Sequence, residues 1–263
     1  MSAKELLQAG KLAEAIDAQV QAVKAAPGDT TARIFLFELL ASAGDWARAS
    51  KHLDVVASQA PEMATGVASY QATVRAEQAR DELFATGQGA PQRMTAEPLD
   101  PEPYLSALAR LRAGDPVEAK RLLTAAEEAR PLRAATVDGK ACDDFRDADD
   151  LIAPFVEVIA NGIYGWIPLA QIAKIEFDEP QFVRDLLWRP ASIELTNGAT
   201  AAMLVPVRYA GSGTAGDDLL RLGRATDWRD EGDIAAGIGQ RAFFAGEDMV
   251  YLLDLREIAF AGA

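Results

Sequence analysis

Gly10-Lys11-Leu12-Ala13-Glu14-Ala15 recurs as Gly44-Asp45-Trp46-Ala47-Arg48-Ala49, a step of 34 residues. Pro27 recurs at Pro61 with the same step, so glycine and proline stand 17 apart in each copy. A third copy, Gly114-Asp115-Pro116-Val117-Glu118-Ala119, closes on Pro131 with the same spacing of 17 and begins 70 residues after the second. A fixed period of this size constrains the fold more than any local propensity, because one unit cannot bury its apolar stripe alone and must stack on its neighbours. Leu12, Ala15, Ile16 and Val20 share one helical face, as do Ile34, Phe37, Leu40 and Ala41. Gly10 and Gly44 fall where a helix must stop and turn. Pro27 and Pro61 forbid continuation of the second helix of each pair. Small Ala15 and Ala49 let paired helices approach closely.

Period, glycine, alanine and terminal proline together resemble tetratricopeptide repeats. Met63 to Phe84 reads as one long helix ending at Gly87. A breaker-rich loop follows, with Gly87-Gln88-Gly89-Ala90-Pro91 and then Pro98, Pro101 and Pro103. The third helix pair covers about 102–130.

After Pro131 the period stops. Asp149 to Ala160 reads as a helix, with Leu151, Ile152, Phe155, Val156 and Ile159 on one side and Asn161-Gly162 ending it. Short apolar stretches then suggest strands at Tyr164–Leu169, Ile172–Phe177, Ser192–Leu195, Ala201–Val207 and Met249–Leu255. Asn197-Gly198, between Ile193-Glu194-Leu195-Thr196 and Met203-Leu204-Val205, is a hairpin signal. The expected fold is therefore α+β: a helical repeat region, 1–131, then a compact α+β domain, 132–263, with a mainly antiparallel sheet.

Charge narrows the partners. The chain carries 26 Lys+Arg against 40 Asp+Glu, a net of −14, which repels phosphate backbones and argues against nucleic acid. Residues 1–131 hold 14 basic and 18 acidic side chains, a net of −4; residues 132–263 hold 12 and 22, a net of −10. A basic partner surface should therefore be drawn mainly to the second half. No apolar run approaches the roughly 18 residues of a membrane span, and Met1-Ser2-Ala3-Lys4-Glu5 leads into a charged amphipathic segment with no apolar leader core. A single cysteine, Cys142, and a single histidine, His52, suit a reducing cytoplasm.

Candidate chemistry is sparse. Asp143-Asp144-Phe145-Arg146-Asp147-Ala148-Asp149-Asp150 is dense in acids. They could supply oxygens to a divalent cation, as in a metal-dependent enzyme, though the spacing is not that of an EF-hand. They better suit a solvated lead-in to a helix, where acids near the N-terminus are favourable. His52 has no second histidine to act with, and Cys142 has no base nearby in sequence. Gly237-Ile238-Gly239-Gln240-Arg241 matches no phosphate loop and suggests a turn between strands. Gly211 to Asp218 reads as a mobile surface loop. More telling are Arg184-Asp185-Leu186-Leu187-Trp188-Arg189-Pro190 and Arg221-Leu222-Gly223-Arg224-Ala225-Thr226-Asp227-Trp228, preceded by Tyr164 and Trp166. Arginine, tryptophan and acid interleaved in this way can form a binding site or an internal network of ion pairs stacked on indole. No catalytic residue, metal site or cofactor is expected.

At these strings the chain resembles the ImpE/SciE family, also called TagJ, accessory proteins of bacterial type VI secretion. The resemblance runs through Arg33-Ile34-Phe35-Leu36-Phe37-Glu38-Leu39-Leu40, Val137-Asp138-Gly139 and Asn161 to Pro168. It continues through Arg184 to Pro190, Arg208-Tyr209, Leu220 to Trp228 and Gly239-Gln240-Arg241; 85–103 matches no family string. It implies a non-enzymatic adaptor that binds a helix near the N-terminus of the small contractile-sheath subunit and is linked to the AAA+ ATPase that disassembles the sheath. A repeat array offers a groove for such a helix, with Arg33, Phe37 and Tyr70 as groove residues. The second half offers Trp166, Arg184, Asp185, Trp188, Arg221, Arg224, Trp228 and Arg241 instead.

Overall fold

A computed structural model describes residues 1–95 and 100–261. Helices α1 (Ala3–Gln8), α2 (Leu12–Ala25), α3 (Thr30–Ser42) and α4 (Trp46–Gln59) form two hairpins, and α5 (Ala64–Thr86) follows. A short strand β1 (Gln92–Arg93) precedes the last hairpin, α6 (Glu102–Arg112) and α7 (Pro116–Ala129). Gly10, Gly44 and Gly114 turn the three hairpins, all with φ between 66° and 82°. Gly87 ends α5 in the left-handed conformation, so the glycine punctuation works as the sequence suggests. Pro98 lies outside the described residues.

The remainder is largely sheet: β2 (Ala135–Val137), β3 (Lys140–Cys142), β4 (Phe145–Asp147), β5 (Phe155–Ala160), β6 (Ile163–Pro168), β7 (Ile172–Phe177), β8 (Trp188–Leu195) and β9 (Thr200–Pro206). A one-turn helix α8 (Asp218–Arg221) leads to β10 (Thr226–Asp230), β11 (Ala235–Gly239), β12 (Ala242–Ala245), β13 (Asp248–Tyr251) and β14 (Glu257–Phe260). Nine strands form one sheet in the order β1-β6-β5-β9-β8-β7-β14-β2-β3, antiparallel except where β1 runs parallel to β6. The protein is thus a tetratricopeptide-like helical region followed by a region rich in antiparallel sheet. Its helical half also lends the sheet an edge strand. Asn197-Gly198 does turn the β8–β9 hairpin, with Gly198 at φ 84° and Glu194 opposite Thr200.

The helix expected over Asp149–Ala160 does not form: 149 is a bend, 150–154 are turns and Phe155–Ala160 is β5. Phe155 to Ile159 are all buried, so the run serves both faces of a central strand, and its helix-like spacing is incidental. Asn161-Gly162 then makes the two-residue turn to β6, with φ of 51° and 74°. Met249–Leu255 is only partly strand; Leu252 and Leu255 leave β13 to enter the core. Glycines 237 and 239 sit in β11, and Gly239 (φ 88°) makes the turn before Arg241.

Helices α2 to α7 pack on one face of the sheet in an apolar cluster that runs from Leu36, Phe37 and Val74 to Phe155, Trp166 and Trp188, and α1 packs on α2 and α3 in a smaller one with Leu222. A second cluster on the other face includes Val156, Val158, Ile193 and Val205. The segment from Gly211, expected as a mobile loop, is part of this packing. Ser212 is buried, and its hydroxyl donates to Tyr209 O at 2.6 Å and accepts from Gly239 N at 2.8 Å. Gly213 lies backbone to backbone against Gly44: a Cβ there would come within 2.7 Å of Gly44 Cα. Gly213→Ala is therefore expected to cost ~1–3 kcal/mol, since backbone on one side must shift. Gly216→Ala, whose Cβ would meet nothing within 4 Å, should change stability by less than ~0.5 kcal/mol in the same denaturant titration.

Candidate functional site

The arginine, tryptophan and acid strings meet at the seam between helices and sheet. Glu157, the single charge in the buried run of β5, lies at the centre. Arg80 of α5 grips it bidentately, Nε to Oε1 at 2.8 Å and Nη2 to Oε2 at 2.9 Å. Arg241 donates Nη2 to the same Oε2, and the Tyr164 hydroxyl donates to Oε1. Trp166 Nε1 donates to the Tyr164 hydroxyl at 2.6 Å. Arg80 also reaches Glu77 at 3.1 Å, and Glu77 accepts from Trp188 Nε1 at 2.8 Å. Arg241 completes the chain with a 2.5 Å bond to Asp147 of β4. Burial pushes the Glu157 carboxyl up, but the guanidiniums of Arg80 and Arg241 overcome it and hold it down at about 2. Burial raises Asp147 to about 6 against the pull of Arg241. Burial and the neighbouring Asp147 raise Asp149 to about 7.

This cluster has no room for a substrate. The adjoining cavity, lined by Trp46, Asp81 and Arg208 among others, holds about 10 Å³, at the limit of one water. The donors and acceptors are spent on one another and on backbone.

Each sequence-selected residue has a definite place. Trp166, Trp188 and Arg241 are buried in or beside the cluster. Phe37 is 1% exposed and stacks on Trp188 with ring centroids 6.3 Å apart, so it anchors the seam instead of lining an open groove. Tyr70 and Arg184 stand half-buried beside it: Arg184 Nε donates to the Tyr70 hydroxyl at 2.6 Å, and its Nη1 pairs with Glu38 at 3.0 Å. Asp185 is buried and accepts from the amides of Gln181 and Phe182. Arg33 bonds Pro27 O at 2.8 Å and lies 3.5 Å from His52 Nδ1. Arg221 pairs with Asp218 at 3.4 Å, Arg224 is exposed with a bond to Gln8 O, and Trp228 packs on Tyr209. The structure therefore joins Trp166, Trp188 and Arg241 in one network, sets Phe37, Tyr70 and Arg184 against it, and scatters Arg33, Arg221, Arg224 and Trp228. Sequence reading missed Glu77 and Arg80, and met Arg208 only as part of the resemblance. Glu157 had a legible signal, a lone acid within Phe155-Val156-Glu157-Val158-Ile159, because a charge in a buried strand must be paired.

The acids of 143–150 diverge instead of leading into a helix. Asp144 pairs with Arg130 at 2.5 Å, Asp147 with Arg241, and Asp150 with Lys120 at 3.7 Å. Asp149 accepts from the amides of Leu151 and Gly237, both at 2.8 Å. Among the described residues no group of three or more acids, histidines or cysteines converges as a metal site would require. The Cys142 thiol is half-buried and pushed up by that burial.

A sizeable opening lies elsewhere. A groove of about 520 Å³ runs between α5, at Gly66, Ser69, Tyr70 and Thr73, and the sheet surface formed by Ile159, Pro190, Ala202 and Leu204.

The comparisons with known proteins follow this architecture. A family model described as ImpE protein matches residues 139–259, and a tetratricopeptide repeat model matches 6–72. The type VI secretion system accessory component TagJ of Pseudomonas aeruginosa is 37% identical over 260 residues, spanning 99% of this chain and 91% of that protein. The chain belongs to the ImpE/TagJ family. Protein VPA1032 from Vibrio parahaemolyticus, known from its crystal structure, is similar throughout, with a TM-score of 0.91 and 26% identity over 99% of this chain and 98% of the other. The ImpE/TagJ architecture thus includes the helical half as well as the sheet. No helix among the described residues is long and apolar enough to cross a membrane.

Two outcomes test the cluster. Arg80→Met leaves Glu157 and Glu77 buried with fewer partners and should cost ~3–5 kcal/mol in urea unfolding. The Glu157 contribution, set by a lowered folded value, is present above its ordinary 4.5 and lost as pH falls toward 2. Asp149, raised, acts in the opposite sense: its contribution is present below its ordinary 3.8 and lost as pH rises toward 7. An asparagine in its place cannot ionise, so the stability gap between wild type and Asp149→Asn should narrow by at least ~1 kcal/mol between about pH 4 and 7.

Proposed function

We propose that this protein is a non-enzymatic, cytoplasmic adaptor of a type VI secretion apparatus. In this reading it binds the N-terminal helix of the small contractile-sheath subunit and links it to the AAA+ sheath-disassembly ATPase. The observation that carries the reading is the near-complete match, both halves together, to a type VI secretion accessory component. That match spans both halves, and a frame of helices packed on a sheet suits a scaffold. The use of the polar strings supports it: Arg80 with Glu157 and Glu77 with Trp188 hold the two halves together, and beside them is a cavity of only about 10 Å³. Partner contacts then fall to groups at the surface. Tyr70 at the groove, Arg184 beside it, Arg33 and Arg224 are the sequence-selected residues in such positions. Phe37, Trp166, Trp188 and Arg241 support the partner surface from beneath.

Isothermal titration of the full chain with a synthetic peptide of the sheath subunit's N-terminal helix should give micromolar or tighter affinity. The same peptide with a proline at its centre should bind at least tenfold more weakly, because the helix it must present is broken. Absence of binding by the unbroken peptide would sink the adaptor reading.

A further inference from the structure

The helical layer covers only part of its face of the nine-stranded sheet. Strand register identifies the rest of that face, because residues directly opposite one another project to the same side. Leu204 lies opposite Pro190, and Ala202, Ser192, Glu176 and Glu257 form a continuous row across four strands. Thr200, Glu194 and Lys174 form the next row. Where this face meets α5 it sinks into the groove of about 520 Å³, whose floor is apolar at Ile159, Pro190, Ala202 and Leu204 and polar at Asn161 and Ser192. The α5 wall is narrow: Gly66, Ser69, Tyr70 and Thr73 share one helical stripe, and a Cβ on Gly66 would meet nothing within 4 Å.

Away from α5 the face turns acidic. Asp178, which also lines the groove, Glu176 and Glu194 are exposed and Glu257 is half-buried. Facing these four carboxylates, Lys174 already bridges Glu176 at 2.9 Å and Glu257 at 2.8 Å. Along β8 the floor offers side chains and little backbone, since that strand is paired along its length with β7 on one side and β9 on the other, while β9 meets β5 at Leu204 and Ile159. An element that satisfies its own backbone and brings an apolar stripe is what such a floor accepts, and that element is a helix.

We propose that this face is the docking surface for one amphipathic helix of a partner protein. The helix lies beside α5, its apolar stripe in the groove and its Lys or Arg residues over Asp178, Glu176 and Glu194. The inference rests on the adaptor reading and adds where the helix sits and which charge it carries. It also gives the acidity of the second half a location.

The test is fluorescence anisotropy of the labelled sheath-subunit helix against full-length protein at low and high salt. Gly66→Trp fills the groove from its open side and should weaken binding at least tenfold. Glu176→Lys with Glu194→Lys reverses the rim at exposed positions, and should weaken binding about tenfold at low salt while flattening the salt dependence. Both variants should unfold thermally as the wild type does; the charge-reversed pair, being wholly on the surface, keeps the test open if the tryptophan perturbs α5. Binding by the wild type that both variants retain would overturn this placement and leave the adaptor reading standing. No binding by the wild type would overturn both.

Discussion

The Glu157 carboxylate is the point on which the two halves of the molecule depend. It is buried in the middle of the sheet, where an unpaired charge would cost far more than the fold can bear. Its partners come from different parts of the chain: Arg80 from the fifth helix, Arg241 from the connection between β11 and β12, and Tyr164 from the neighbouring strand. Neither half can satisfy Glu157 alone. Docking of the helices on the sheet is thus tied to a specific geometry, which apolar contact between Phe37, Trp166 and Trp188 would leave free to slide.

The same interdependence appears at the helix ends, which expose backbone groups that a helix cannot satisfy for itself. Lys11 gives α2 no side-chain cap, and Asp218, from α8, accepts from the amides of Leu12 at 2.7 Å and Ala13 at 3.3 Å. Buried Arg208 donates to the carbonyls of Ser42 and Ala41 at the end of α3, a favourable place for a cation. Arg112 closes the end of α5 through Phe84 O and reaches Glu231 at 2.5 Å. A repeat array usually leaves its inner helices open to a partner; here the protein's own second half occupies that side. The groove proposed for a partner helix lies at the margin, where α5 borders the uncovered sheet.

Much of the helical half was legible because its signals are local. Gly10, Gly44, Gly87 and Pro27 act within one turn of where they stand, and α3, α4 and α5 begin and end close to the places they mark. The β8–β9 hairpin was legible at Asn197-Gly198 for the same reason. The run around Phe155 was misread, since spacing cannot distinguish a helix stripe from a strand buried on both faces. Gly213 offered no hint of burial: its fit depends on Gly44, distant in sequence. Of the seam, the tryptophans and Arg241 stood out by composition, whereas Glu77 and Arg80 look like ordinary helix-surface charges until the sheet is placed against them.

By itself the sequence determined the repeat, the change to sheet near Pro131, the excess of acid in the second half and the family resemblance, all of which rest on residue type and short-range spacing. Only the tertiary structure decided that Phe37, Trp188 and Arg241 face inward and that the acids of 143–150 part company. It also left one apolar groove open beside an acidic sheet face. The physical reason is that burial and charge pairing depend on which surfaces meet, and in this chain the deciding pairs, Arg80 with Glu157 and Arg208 with Ser42, are 77 and 166 residues apart.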